Sequence, residues 1–167
     1  MYPAPLNNCM PELRALYDYW RGKRHGRRFP SRADIDPLEI PRLLEHIGLI
    51  DVMEGGEDFS YRLVGTGIAR AFGEDPTGRQ VGASTGGSYA NVIREACRRC
   101  WETAQPVLFR GIYRTREHND LWAERLLLPL GVAAQPNMLL FCLVLRQPQS
   151  DYRLENTPID LLAEAPE

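Results

Sequence analysis

The clearest pattern along the chain is a helical stripe over Ser88 to Thr103. Tyr89, Val92, Ile93, Ala96, Cys97, Cys100 and Trp101 recur at helical spacing, while Arg94, Glu95, Arg98, Arg99 and Glu102 take the opposite side. Ser88 is placed to cap this helix, and Pro106 stops it from continuing. A shorter stripe of Leu13, Leu16, Tyr17 and Trp20 predicts a helix over Pro11 to Trp20, with Pro11 in its first turn. Asp36-Pro37-Leu38-Glu39 marks another start: Asp36 can cap, Pro37 fills the first position and Glu39 can reach back. Pro41 divides that segment into short pieces. Elsewhere the period is two. Ile47 to Met53 is rich in strand formers, Gly55-Gly56 signals a turn, and Phe59 to Val64 alternates. The alternation puts Phe59, Tyr61 and Leu63 on one face and Ser60 and Arg62 on the other. The glycine-rich stretch from Gly65 to Gly87 has room for only a turn or two of helix, at Ile68 to Phe72. Three more strands follow, Val107 to Arg114, Leu121 to Leu130 and Met138 to Arg146. His118-Asn119-Asp120 and Gln135-Pro136-Asn137 supply turns between them. A last helical turn is expected at Asp160 to Ala163.

This order predicts an α+β fold: one five-stranded antiparallel sheet, helices on one face, and an N-terminal helix. One domain is expected over residues 1–167, with the N-terminal helix and connector at 1–35, the core at 36–146 and a polar tail at 147–167. The helical crossover lets the first and last strands become neighbours. The long helix should lie across the sheet with Trp101 buried. Strand parity turns Tyr61, Phe109 and Tyr113 inward, and Phe72 and Ala96 come from the covering helices. These five are the candidate ligand-binding residues. A register error of one residue would invert that reading.

Composition narrows the function classes. The chain has 167 residues, 44% hydrophobic and 25% charged, which is ordinary for a globular domain able to bury a core. A net charge of −2 gives no global attraction to nucleic acid or anionic membrane. The local basic stretch of Arg21, Lys23, Arg24, His25, Arg27 and Arg28 reads as a solvated connector rather than a phosphate-binding strip. The start lacks a basic region followed by an apolar one, and the longest apolar run, Met138 to Leu145, is less than half of a membrane span of about 20 residues. A cytoplasmic location without membrane contact is expected. Four cysteines, Cys9, Cys97, Cys100 and Cys142, form no disulfide framework of a small secreted domain, so reduced thiols are expected.

Short motifs along the chain add a resemblance. Tyr19-Trp20, the run Arg27-Arg28-Phe29-Pro30-Ser31-Arg32-Ala33-Asp34-Ile35-Asp36-Pro37, Ile40-Pro41-Arg42-Leu43-Leu44 and Leu49-Ile50-Asp51-Val52 come first. Tyr61-Arg62-Leu63-Val64-Gly65-Thr66, Ala71-Phe72-Gly73, Thr77-Gly78-Arg79 and Glu124-Arg125-Leu126-Leu127-Leu128-Pro129-Leu130 follow. In this order, from Leu16 to Arg146, they resemble a bacterial PAS-like family of the stand-alone alphaproteobacterial type. The resemblance implies a PAS fold, a role in signalling and frequent dimers. It implies no particular ligand and no catalytic residue.

Other motifs have plainer explanations. Gly65-Thr66-Gly67-Ile68-Ala69-Arg70-Ala71 mimics a dinucleotide fingerprint, but Gly73 and Pro76 end the helix early and no parallel strand follows, so a tight turn leaving a strand is expected. Cys97-Arg98-Arg99-Cys100 has metal-like spacing but no second ligand pair, and both thiols lie on an apolar stripe; no metal site is expected. A haem needs an axial ligand, and none of His25, His46 and His118 lies on the long helix. A covalent flavin photosensor needs a Cys in an Asn-Cys-Arg context after the first helices, which the chain lacks. No cofactor is expected, and the protein should be colourless. Glu124 stands in an otherwise apolar strand. It reads as an outward residue, or as a half-buried carboxylate needing Arg62 or Arg110 as partner.

The expected function is a non-catalytic sensory module that binds a small molecule, a signalling protein partner, or both. Alternatives are a small α+β enzyme using Glu124 as acid or base, and a ligand-free dimerisation adaptor. Met138 to Leu145 is apolar on both faces, as is Leu126-Leu127-Leu128. The middle helices can cover one face only, and the predicted N-terminal helix, about 15 Å long, covers part of the other. A homodimer joining that helix to the outer sheet face is therefore expected.

Overall fold

The computed structural model describes residues 4–83, 88–114, 117, 119–148 and 159–160. Helices α1 (Ala4–Asn7) and α2 (Pro11–Lys23) lead through three short 3-10 turns, Arg32–Asp34, Pro37–Glu39 and Pro41–His46, to the hairpin β1 (Ile47–Met53) and β2 (Asp58–Val64). Helices α3 (Thr66–Phe72) and α4 (Ser88–Thr103) then cross to β3 (Val107–Arg114), β4 (Asp120–Leu130) and β5 (Met138–Arg146). The sheet order is β2-β1-β5-β4-β3, with the two-residue strand β6 (Ile159–Asp160) added beside β3, and every pairing is antiparallel. The first and last long strands thus meet at the centre, as the crossover predicts. Five long strands match the sequence reading. Asp160 belongs to β6 rather than to a helical turn, and the rest of that expected turn lies outside the described residues. So do His118 and the side chains of Ser88 and Tyr89.

The sheet has two cores. On its inner face, Ile68 and Phe72 of α3 and Ile93, Ala96, Cys97 and Cys100 of α4 pack against β-strand side chains. On its outer face, Leu13, Leu16, Tyr17 and Trp20 of α2 pack against Leu108, Leu126, Leu128, Leu140 and Cys142. This accounts for the doubly apolar strands β4 and β5, whose two faces are both buried. It also corrects the expected bare patch. Helix α2 runs three residues beyond Trp20 to Lys23, and the outer face of β4 and β5 is buried under it without a second chain. Trp20 is fixed there by donating from Nε1 to the Pro129 carbonyl at 2.9 Å.

Two further expectations change. The register between β1 and β2 slips between Leu49 and Ile50, where Ile50 faces Tyr61 and Arg62 is skipped. Such a bulge reverses side-chain parity beyond it. Tyr61 therefore stays in the inner core while Leu63 turns out and Val64 turns in. Trp101 is only partly buried, at the edge of the inner core. It packs on Gly56, where φ is +89° and an added Cβ would lie 2.4 Å from the indole ring.

Candidate functional site

The inner core gathers the three residues selected by strand parity and the two selected from the covering helices. Tyr61 of β2, Phe109 and Tyr113 of β3, Phe72 of α3 and Ala96 of α4 are buried in one cluster. The rings of Phe72 and Tyr113 lie 5.4 Å apart, and those of Tyr61 and Phe141 5.8 Å apart. The bulge after Tyr61 does not disturb this assembly because it acts only on the residues beyond it.

Sequence reasoning passed over the most polar member of the group. Arg125 is 1% exposed, donates from Nη1 to the Tyr61 hydroxyl at 3.0 Å, and places its guanidinium 5.4 Å from the centre of the Phe141 ring. A cation over an aromatic face is favourable, more so where water is excluded. The signal was present: two adjacent charges in an apolar strand must point to opposite faces, and both faces of β4 are covered. Glu124 therefore enters the outer core as Arg125 enters the inner one.

Glu124, also 1% exposed, serves the outer face. Its carboxylate accepts from the Met10 backbone N–H at 2.8 Å and from Trp122 Nε1 at 3.2 Å, and lies 3.7 Å from Arg146. Arg110 is its cross-strand neighbour on β3, whereas Arg62 pairs with Asp51 at 3.2 Å. Glu124 thus holds the start of α2 to the sheet and is turned away from the inner cluster.

The four cysteines form no disulfide and all are buried. Burial pushes Cys97 up to about 12, with Arg125 pulling the other way. Cys9 is pushed up to about 12 by burial and by the Glu124 charge, and burial raises Cys142 as well. These thiols stay protonated and are weak nucleophiles. No group of three or more His, Cys, Asp or Glu able to hold a metal occurs among the described residues. His25 is exposed, and His46 is half-buried with its Nε2 3.7 Å from Glu45.

The glycine motif after β2 is a packing device. An added Cβ at Gly65 would lie 2.4 Å from the Leu44 carbonyl, and at Gly67 2.8 Å from that of Glu45. Main chain, not phosphate, occupies that approach. The basic stretch is likewise engaged within the chain. Arg21 pairs with Asp18 at 3.3 Å, Lys23 with Glu39 at 2.6 Å and Arg27 with Asp34 at 2.8 Å. Arg24 stacks on Trp20, and Arg28 donates to the Thr103 carbonyl. No helix among the described residues is long and apolar enough to cross a membrane.

A recess of about 660 Å³ opens beside the inner core, lined by Arg70, Phe72, Gly73, Asn119, Asp120 and Gln147 among others. Phe72 belongs to both, lining the recess and stacking on Tyr113. Gly73, with φ of +76°, ends α3 immediately after it.

A family model described as PAS domain matches residues 9–144. No curated protein matches the sequence. Solved structures similar to it include two Light-Oxygen-Voltage proteins. An RNA-binding Light-Oxygen-Voltage receptor is 18% identical, with a TM-score of 0.48 over 69% of this chain and 35% of that one, so this chain spans about a third of the receptor's length. A fungal LOV domain photoreceptor is 15% identical, with a TM-score of 0.45 over 68% of this chain and 94% of that one.

Proposed function

This chain belongs to the PAS domain family, and from that premise we propose that it is a cytoplasmic, non-catalytic signalling module whose inner core receives a small molecule. The observation that carries this reading is the Arg125–Tyr61 pair, a charged side chain kept inside an otherwise apolar and aromatic cluster. Burying a guanidinium opposes stability, and recognition of a specific ligand group is a reason to keep it there. Arg125 and Tyr61 are suited to a carboxylate or another strong acceptor. Phe72, Ala96, Phe109, Tyr113 and Phe141 would surround an apolar, flat body. The resting core is filled by its own side chains, so entry requires Phe72 to leave Tyr113 and open the core to the neighbouring recess. That movement would shift α3, and the shift is the signal passed to a protein partner.

One observation favours a second reading, the ligand-free adaptor: all five candidate residues are already buried against one another. Thermal shift separates the two. A panel of small aromatic carboxylates, each paired with its neutral amide, is tested on wild type, Arg125→Met and Tyr61→Phe. The sensory reading expects at least one carboxylate to raise the wild-type midpoint more than its amide does, with the response lost in folded Arg125→Met. A response of equal size in Arg125→Met would remove Arg125 from the site, and no response in any protein would favour the adaptor. Self-association is part of either reading. The face of α2 first expected to supply it is occupied inside the chain, so the contact must be made elsewhere.

A further inference from the structure

Beyond the area covered by α2, the outer face is not closed. A groove of about 240 Å³ runs between the 3-10 turns and the β1–β2 hairpin, and its apolar lining includes Ile35, Ile40, Leu49 and Leu140. Leu63 is 54% exposed and Leu44 39%, and both line the groove. Leu63 stands there because of the β2 bulge, which turns it out of the inner core. Bulges often re-aim a side chain beside a functional site. The apolar strip is narrow: exposed Glu45 follows Leu44, and exposed Arg62 precedes Leu63. A stable protein contact buries about 800 Å² on each partner. A cleft this small, bounded by charges, fits one slender apolar chain better than a broad apolar face.

One cation on the groove has no counter-charge. Arg32 lines it, and its Nη1 donates to the carbonyl of Ile35, another lining residue, at 3.0 Å. That bond holds the guanidinium beside the groove and leaves its other N–H groups for a further acceptor. No carboxylate among the described residues pairs with Arg32. The acids of the same turns are engaged elsewhere: Asp34 pairs with Arg27 at 2.8 Å, and Asp36 accepts from the Leu38 N–H at 2.9 Å. Glu45 also lines the groove, with its carboxylate 3.7 Å from His46 Nε2. An anionic head is repelled by Glu45 and attracted by Arg32, so the two charges give a bound acid a single orientation.

We propose that this outer-face groove is a second binding site, for a medium-chain aliphatic carboxylate whose chain lies along the leucines and isoleucines and whose head pairs with Arg32. An apolar lining with a few placed polar groups is the usual make-up of a small-molecule site. Arg is suited to a carboxylate because its fork of N–H groups matches the two oxygens. The volume sets the length. Liquid water takes about 30 Å³ per molecule, so the groove holds a chain of roughly eight heavy atoms. The site is on the opposite face of the sheet from Arg125 and Tyr61, and the proposal is independent of the inner-core ligand.

Isothermal titration calorimetry of the full chain with straight-chain carboxylates from butanoate to dodecanoate tests it, with octanol and octylamine as controls. One molecule should bind per chain. Affinity should rise about fourfold per added methylene and level off near octanoate to decanoate, where the groove is full. Octanol and octylamine should bind more weakly than octanoate. Arg32→Gln should weaken octanoate about threefold to fivefold, to the level of octanol. Leu63→Asp changes an exposed position, so it should keep the circular dichroism spectrum while weakening octanoate by at least about tenfold. Arg125→Met should bind octanoate as wild type does. Absence of saturable binding for every chain would overturn the proposal. So would an affinity that keeps rising to dodecanoate with several molecules bound, which is unspecific adsorption. Octanol or octylamine binding as tightly as octanoate would overturn the carboxylate. Octanoate binding lost in folded Arg125→Met but kept in Leu63→Asp would place the acid in the inner core, overturning this site while supporting the other.

Discussion

Single residues carry much of this account because several polar groups are held in defined places. Asp34 accepts from the Ser31 backbone N–H and hydroxyl, each at 2.7 Å, and pairs with Arg27. These partners, the Ser31 hydroxyl first, hold its carboxyl well below the usual carboxylate range. A group whose folded value is depressed stabilises the fold fully above its unfolded value, near 4. That contribution is lost as pH falls through the lower folded value. Asp34→Asn should therefore melt below wild type at pH 6 to 7, and the gap should close as pH falls from about 5 to about 2. A gap constant across that range would contradict the assignment. Glu124 is the second case. Glu124→Ala removes the acceptor for Met10 and Trp122 and the charge facing Arg146. Breaking a buried ion pair costs about 3–5 kcal/mol. Arg146 is 37% exposed, and water there can take over part of the role, so about 2–3 kcal/mol is expected in urea unfolding. A change under about 0.5 kcal/mol would show that the N-terminal segment is not anchored there.

Among the elements, periodicity made the helices and strands legible almost residue by residue. The stripe on α4 and the strands β3 and β5 fall where the pattern puts them, because each buries a face regular enough to leave a trace. What periodicity lost was local. The bulge in β2 has no compositional mark, since Arg62 fits an outward strand position as well as a skipped one, and Leu63 was therefore assigned to the wrong face. Arg125 was legible in principle from its adjacency to Glu124, but only once both faces of β4 were known to be covered. The reach of α2 was underestimated because Gly22 and the charges around it resemble a connector. The two tryptophans of the helices should now separate. Trp20→Ala removes a fully buried ring and its hydrogen bond to Pro129, and should cost about 3–5 kcal/mol. Trp101→Ala takes away a ring that is only partly buried, and should cost about 1–2 kcal/mol. Equal losses in denaturant unfolding would mean that the edge of the inner core is closed more tightly than the exposure of Trp101 indicates.

For the whole molecule, the sheet is a wall between two cores with different work. The outer core, under α2, is anchored by Glu124 and Trp20. The inner core, under α3 and α4, carries Arg125, Tyr61 and the ring contact between Phe72 and Tyr113. A family match over residues 9–144 supports a signalling module, and in the function proposed above the inner core is where a small molecule biases the conformation. Native mass spectrometry of freshly purified full-length protein, beside Arg125→Met, addresses that claim most directly. The account predicts a wild-type chain that carries a small molecule, either co-purified or added from the carboxylate panel, which is released on denaturation and is absent from folded Arg125→Met. A wild-type chain that remains bare throughout, or an Arg125→Met chain that carries the same mass in the same amount, would contradict it.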